Sequence, residues 1–155
     1  MRKRVIGSQA AANPASDWLQ LDCVAEVEVS SEDPEHPIEA ALLPTASGGW
    51  RAGAAGQQLI RLLFSPAQRL HRIRLVFVET AVERTQEYLL RGSSDDGRSF
   101  REIARQQWNF SPQGATIESE EHLIEAIDVS VLELIITPDI AGGGAIASLA
   151  ELRCA

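Results

Sequence analysis

The sequence has little of several residue types, and each shortage excludes a class of protein. Only two cysteines occur among 155 residues, and Cys23 and Cys154 form no CxxC pair, which excludes a cysteine-rich scaffold and a cysteine zinc site. The three histidines share no ligand spacing, so we expect no metal site. No run approaches 18 apolar residues, so the sequence contains no candidate transmembrane helix and predicts no membrane association.

Lysine is almost absent, and acidic residues outnumber basic ones. The 22 Asp and Glu against 14 Lys and Arg give a net charge of −8. Residues 17–50 contain no Lys or Arg at all. A protein that binds nucleic acid by neutralising phosphates needs the opposite balance, so the composition argues against a nucleic-acid partner.

Catalytic and targeting motifs are also absent. We find no nucleophile elbow, no HExxH, and no phosphate loop, because the Gly142–Gly144 run is not followed by Lys and Ser or Thr. We therefore expect no enzyme activity and no cofactor. The basic start at residues 1–4 lacks a following apolar segment, which favours a cytoplasmic location. The composition predicts a flexible N-terminal arm at 1–16 and a single domain at 17–155.

Alternating apolar and polar residues dominate the rest of the chain. From Leu19 to Val29 every odd position is apolar and nearly every even one is polar, which predicts a half-buried antiparallel strand. Asp96-Gly97 marks a hairpin turn, and 37–43 fits a short helix. Further strands are predicted at 59–64, 70–79, 84–92, 100–110, 115–127, 131–137 and 146–154. With no long helical pattern, we predict an all-β antiparallel β-sandwich.

The order of these segments resembles a known family. Predicted strands at 57–64 and 70–77 come first and are followed by Arg84-Thr85-Gln86-Glu87-Tyr88. Next comes the turn segment Ser93-Ser94-Asp95-Asp96-Gly97-Arg98-Ser99-Phe100. The last predicted strand contains Leu149-Ala150-Glu151-Leu152. Residues 17–154 thereby resemble the galactose-binding-like jelly-roll domains (discoidin, or coagulation factor V/VIII C-type). They are also similar to the N-terminal domain of the X-ray repair scaffold protein. The resemblance implies an eight-stranded jelly roll that binds ligands through loops at one end, without catalysis.

Two family features bear on this chain. Many members hold calcium with an Asp-Gly-rich loop before the tryptophan, but residues 42–49 contain no carboxylate, so we predict no calcium. Secreted members often join the first and last strands by a disulfide, and the resemblance puts Cys23 and Cys154 in those strands. A reducing compartment favours two free thiols instead.

Candidate binding residues come from three segments, and each has a structural alternative. Trp50 and Arg51 either stack and pair with a ligand, or the Trp50 ring fills the core. Arg84 and Gln86 share a strand face and either contact a ligand or pair with acidic side chains on a neighbouring strand. The third set either binds hydroxyl groups or forms a hydrated edge strand, and its members are Arg105, Gln107, Trp108 and Phe110.

Two functions remain open at this point. The first is a non-catalytic module that binds a carbohydrate or another small polar ligand through loops at one end of the sandwich. The alternative is a protein–protein interaction domain that uses a sheet face or the basic cluster Arg69, Arg72 and Arg74, which is otherwise expected to pair with Glu26 and Glu28. Either function is compatible with a homo-oligomer.

Overall fold

The computed structural model describes residues 18–155, so the predicted arm at 1–16 lies outside the described residues. Two short helices and eight strands follow one another in this part of the chain. The helices are α1 (Leu21–Val24) and α2 (Glu39–Leu42). The strands are β1 (Ala25–Val29), β2 (Trp50–Arg51), β3 (Gln58–Val78), β4 (Arg84–Ser93), β5 (Arg101–Phe110), β6 (Ile117–Thr137), β7 (Ser148–Leu149) and β8 (Glu151–Cys154).

Two long strands, β3 and β6, take part in both layers of the sandwich. Each has 21 residues, and their antiparallel register shifts between Leu63 and Gln68. Before the shift, β3 lies in a layer ordered β1-β3-β6-β4-β5. After it, β3 lies between β8 and the first half of β6. The result is a five-stranded layer and a three-stranded layer, with β2 and β7 as a separate pair.

The core lies between these layers and follows the period-2 pattern of the strands. Ile73, Leu75 and Phe77 alternate along β3 and are fully buried, as are Tyr88 and Leu90 on β4. The rings of Phe77 and Tyr88 stack at 5.3 Å between centroids. The predicted antiparallel β-sandwich is confirmed.

The predicted strand at the start of the domain is partly wrong. Residues 21–24 form one helical turn, so β1 begins only at Ala25. Cys23 is therefore exposed on α1, while Cys154 is buried at the end of β8, and both thiols are free. Val27, expected to face inward, is 36% exposed.

Two other strand predictions differ from the structure in their boundaries. The single strand predicted at 146–154 is two short strands separated at Ala150, whereas 115–127 and 131–137 belong to one strand, β6.

The basic cluster on β3 pairs differently from the prediction. Arg69 bonds to Asp128, Arg74 to Glu151, and Arg72 approaches Glu121. The cause is the register: β1 pairs only with the first half of β3, so Glu28 meets Arg61 instead.

Four connections meet at one end of the sandwich, which we call the loop end. They are 30–57, 79–83, 111–116 and 138–147, and they flank the starts of β3 and β4 and the ends of β5 and β6. The hairpin at 94–100 closes the opposite end, where Asp96 and Gly97 have φ angles of 61° and 90°. Between residues 18 and 155 no helix has the length and apolar character needed to cross a membrane.

Candidate functional site

Four of the predicted site residues form two neighbouring pairs on the inner face of the five-stranded layer. Arg84 on β4 lies opposite Phe110 on β5, and its guanidinium sits 4.9 Å from the ring centroid. Gln86 lies opposite Trp108 in the same way. The register therefore unites side chains that are more than 20 positions apart in the sequence.

Burial shows that this group is largely internal. Gln86 and Phe110 are 0% exposed, and Trp108 is half-buried against the core, with an indole N–H that has no hydrogen-bond partner between residues 18 and 155. Gln86 Nε2 donates to Glu118 Oε1 at 3.3 Å, across the interior to β6. As candidates for stacking or hydrogen bonding with a ligand, Gln86 and Phe110 are thus corrected to interior residues, because no part of either side chain reaches solvent.

Glu118 is an acidic group in the protein interior. Burial, and then the neighbouring Glu120, raise the pKa of Glu118 to about 7. Within the part of the chain that the structure describes, its second carboxyl oxygen has no hydrogen-bond partner. Further along the same face, Tyr88 Oη and His122 Nε2 lie 2.7 Å apart, and burial lowers the pKa of His122. The inter-sheet space therefore contains a polar strip beside the aromatic core.

The other two members of the third set point the opposite way. Arg105 Nη1 and Gln107 Nε2 both donate to Glu87, at 3.3 Å and 3.0 Å, on the outer face of the five-stranded layer. Their parity along β5 differs from that of Trp108 and Phe110, so one ligand site cannot include all four. The hydrated edge-strand alternative describes Arg105 and Gln107.

Trp50 is a core residue. The ring is 1% exposed, and Nε1 donates to the carbonyl oxygen of Ser31 at 3.2 Å. It lies on β2, which pairs with β7 and presents no face of the indole to a ligand. The packing alternative therefore describes Trp50, and the stacking role is corrected. Arg51, the next residue, is exposed.

An open cleft of about 440 Å³ lies at the loop end, where β4 begins and β5 ends. It includes two of the predicted residues, Arg84 and Phe110. The other lining residues are Glu83, Thr85, Asn109, Ser111 and Asp139. They come from three segments of the chain that the strand register brings together.

Arg84 anchors the wall of this cleft. Its Nε donates to Glu79 Oε1 at 2.8 Å, and Nη1 donates to the carbonyl oxygen of Pro138 at 2.7 Å. Burial raises the pKa of Glu79, but the hydrogen bonds from Arg84 and from backbone N–H groups outweigh it and leave that pKa below its ordinary value. Arg84 is only 3% exposed, and its Nη2 has no partner among the described residues. Because Nη2 has almost no accessible surface, Arg84 supports the wall of the cleft and does not present a free donor to a ligand.

The rim of the cleft is held by local hydrogen bonds. Thr85 Oγ1 donates to Asn109 Oδ1 at 2.7 Å, which leaves the amide N–H groups of Asn109 for another acceptor. The backbone N–H of Ile140 donates to the carbonyl of Thr85, and that of Ala141 donates to Asp139 Oδ1. These bonds fix the turn after β6 beside the start of β4.

Sequence reasoning missed most of the cleft residues. Glu83, Thr85 and Asn109 are direct neighbours of residues that it singled out, but nothing in the sequence distinguishes them from ordinary polar surface residues. Asp139 gave a turn signal, since it follows Pro138 and precedes the Gly-rich loop. No sequence signal connects these segments, because only the register of β4, β5 and β6 does so.

The cleft offers the contacts that polyhydroxyl ligands require. It combines amide and hydroxyl donors with carboxylate acceptors. Val82 and Ile140, each 50% exposed, are the chain neighbours of Glu83 and Asp139, although neither lines the cleft itself. Across residues 18–155, no group of three or more His, Cys, Asp or Glu side chains is placed to hold a metal ion.

Comparison with known proteins finds similar folds. No family model matches the chain, and no curated protein sequence matches it. Among solved structures, the carbohydrate-binding module CBM32-5 of Clostridium perfringens, in complex with GalNAc-β-1,3-galactose, is 18% identical with a TM-score of 0.65, over 88% of this chain and 98% of that chain. CBM32-3 from a family 31 glycoside hydrolase of the same organism is 15% identical, with a TM-score of 0.66 over 98% of both chains. Chitosan-binding module 1 from a Paenibacillus chitosanase/glucanase is 18% identical, with a TM-score of 0.62, over 88% and 98%.

These similarities establish the fold. The chain has the galactose-binding-like jelly-roll fold that the order of its segments predicted. The finer resemblance to discoidin domains and to the repair-scaffold domain stays a prediction. Identities of 15% to 18% do not transfer a ligand, so the function is argued from the cleft.

Proposed function

We propose that this chain is a non-catalytic carbohydrate-binding module, and that the loop-end cleft holds the terminal unit of a glycan. The observation that carries the proposal is the open cleft of about 440 Å³ at the loop end, which is lined by hydroxyl, amide and carboxylate groups from three segments of the chain. Sites built to bind neutral hydroxyls use a few fixed polar groups beside apolar surface.

Two further features support this function. Asn109 is oriented by Thr85, so its amide is prepared to donate to a sugar hydroxyl. Several proteins of the same fold bind sugars, including galactose and 4,5-unsaturated mannuronic acid, according to their structures.

The absence of catalysis is part of the proposal. Within the described residues the cleft holds a guanidinium, an amide, hydroxyls and two carboxylates, but no nucleophile hydrogen-bonded to an oriented base. None of these observations favours the alternative of a protein-interaction domain. The cytoplasmic location and a homo-oligomer stay predictions from the sequence.

A glycan array followed by calorimetric titration of the best ligand tests this function. We expect Asn109→Ala to weaken binding by about tenfold, because a hydroxyl loses its hydrogen-bond donor. Gln107→Ala is the matched control, since that amide lies on the same strand but bonds to Glu87 away from the cleft. Absence of binding to every glycan, or equal losses in the two variants, would overturn the proposal.

A further inference from the structure

Strand β1 forms one edge of the five-stranded layer, where its only neighbour within residues 18–155 is β3. The backbone N–H of Ser30 donates to the carbonyl oxygen of Leu59, and hydrogen-bonded and non-hydrogen-bonded pairs alternate along an antiparallel ladder. The backbone N–H and C=O groups of Val27 and Val29 therefore point away from β3, towards the open side of the layer. The three central residues of β1 are exposed, so this edge is accessible to an incoming strand.

An apolar pocket of about 80 Å³ opens directly beside this edge. Val27 lines it together with Leu62, its partner on β3, and Leu42 of α2. Val27 is 36% exposed, whereas Leu62 below it is 2% exposed. A strand added alongside β1 turns every second side chain to this inner face. A water molecule takes up about 30 Å³, so a pocket of this size suits a single aliphatic side chain.

The surroundings of the pocket are acidic. Asp22 and Glu39 line the pocket, Glu26 lies on the outer face of β1, and all three are exposed without an ion pair among the described residues. Glu28, the next acidic residue on the outer face, pairs with Arg61. The potential at this edge is therefore negative and favours a cationic partner. Edge-to-edge pairing with a second copy would bring Glu26 and Glu28 against like charges, which disfavours a dimer through β1.

We propose that β1 and the pocket beside it dock an extended basic segment of a partner protein by strand addition. The partner backbone bonds to the outward N–H and C=O groups of Val27 and Val29, and one of its inward aliphatic side chains fills the pocket. Its outward Lys or Arg side chains meet Glu26 and Glu28. In such complexes main-chain hydrogen bonds give affinity, and pockets for alternate side chains give specificity. The pocket shares no lining residue with the loop-end cleft, so this docking does not depend on carbohydrate binding.

The test uses the blocked peptide acetyl-Lys-Val-Lys-Val-Lys-Val-amide, titrated into the full chain and followed by backbone N–H chemical shifts and hydrogen exchange. With the peptide in excess, exchange at the N–H groups of Val27 and Val29 should slow by about tenfold or more. The N–H of Glu28 is an internal control, because the alternation directs it to β3 and its exchange should change little. A peptide with Glu in place of Lys should bind about tenfold more weakly, and this difference should shrink at about 500 mM salt.

Two variants locate the binding. Val27→Pro removes an outward N–H without removing a bond to β3, so it should abolish binding while the ladder remains. Val27→Glu keeps the backbone groups and places a charge at the mouth of the pocket, so it should weaken binding by about tenfold. Val78→Glu is the matched control, because Val78 is a strand valine with a similar exposure of 41% that does not line the pocket. Thermal unfolding shows that each variant is folded, and Val27→Glu decides the result if Val27→Pro is not.

Three outcomes would overturn this inference. They are no binding of the basic peptide, exchange protection confined to strands other than β1, and equal losses for Val27→Glu and Val78→Glu. A wild-type dimer in sedimentation that Val27→Glu dissociates would also overturn it, because the occupant would then be a second copy of the chain. Glycan binding is measured separately, so its failure would leave this docking site standing.

Discussion

Gln86 and Glu118 form a hydrogen bond across the interior of the sandwich, with 3.3 Å between Nε2 and Oε1. Both side chains are buried, at 0% and 1% exposed. The bond favours the ionised form of Glu118, but burial and the charge of Glu120 oppose it more strongly. The interior therefore contains a carboxyl group that prefers to be protonated below neutral pH.

This preference predicts a pH dependence of stability. A carboxyl whose pKa is about 7 in the folded protein and about 4.3 in the unfolded chain binds more protons when folded between those values. Its contribution to the free energy of unfolding therefore falls as pH rises from about 4 to about 7. Glu118→Gln removes this loss, so relative to wild type it should gain about 3 kcal/mol between pH 4.5 and 7.5.

Urea unfolding of both proteins across this pH range measures the difference. Glu125→Gln is the control, because Glu125 is an exposed residue of the same strand that forms no ion pair among the described residues. Parallel stability curves for Glu118→Gln and wild type would contradict the prediction.

A second buried carboxylate, Glu133, is fully paired. It lies on β6 between Arg61 and Arg91, with 2.6 Å from Oε2 to Arg61 Nε and 2.8 Å from Oε1 to Arg91 Nε. Because removing it leaves two arginines facing each other, Glu133→Gln should lower the free energy of unfolding by about 2 kcal/mol. Glu28→Gln removes the exposed partner of the same Arg61 and should cost about 0.5 kcal/mol or less. Similar losses in the two variants would refute this assignment.

The strands could be predicted from the sequence because buried and more exposed residues alternate regularly along them. Along β4, Arg84, Gln86, Tyr88 and Leu90 are all buried and alternate with more exposed residues. The same alternation places the polar residues Arg84 and Gln86 on the inner face of β4 together with Tyr88. The sequence analysis did not use this information, because the polarity of the two side chains favoured a position that faces solvent or a ligand.

The helical turn of α1 and the cleft could not be predicted from the sequence. Residues 21–24 continue the alternation of β1, so a local pattern cannot separate them from a strand; only the structure shows that Leu21 packs into the core from a helical turn. The cleft depends on the pairing of Thr85 with Asn109 and on the turn at Asp139, which are long-range features.

Trp50 provides a direct test of the corrected site. Because the ring is buried and Nε1 donates to Ser31, Trp50→Phe should cost about 2 kcal/mol of stability through a lost hydrogen bond and a small cavity. Glycan affinity should stay within about twofold of wild type, since Trp50 does not line the cleft. Thermal unfolding and titration below the transition measure both quantities. A large loss of affinity in a fully folded variant would restore Trp50 as a binding residue.

Alanine substitutions at the adjacent residues Gly48 and Gly49 distinguish the cost of backbone strain from the cost of steric overlap. Both have positive φ angles, 94° and 70°, which side chains rarely adopt. A Cβ on Gly49 would lie 2.6 Å from the carbonyl oxygen of Leu149, whereas a Cβ on Gly48 would meet nothing within 4 Å. We therefore expect Gly48→Ala to cost about 1 kcal/mol, from strain alone, and Gly49→Ala about 3 kcal/mol.

Chemical denaturation of the two variants measures this difference. The larger loss for Gly49→Ala should come with displacement of β7 from β2, because the overlapping atom belongs to the β7 backbone. Hydrogen exchange at the backbone N–H of Leu149 reports that pairing directly. Equal stabilities for the two variants would mean that β7 moves without cost, and the close approach at Gly49 would then contribute nothing to the fold.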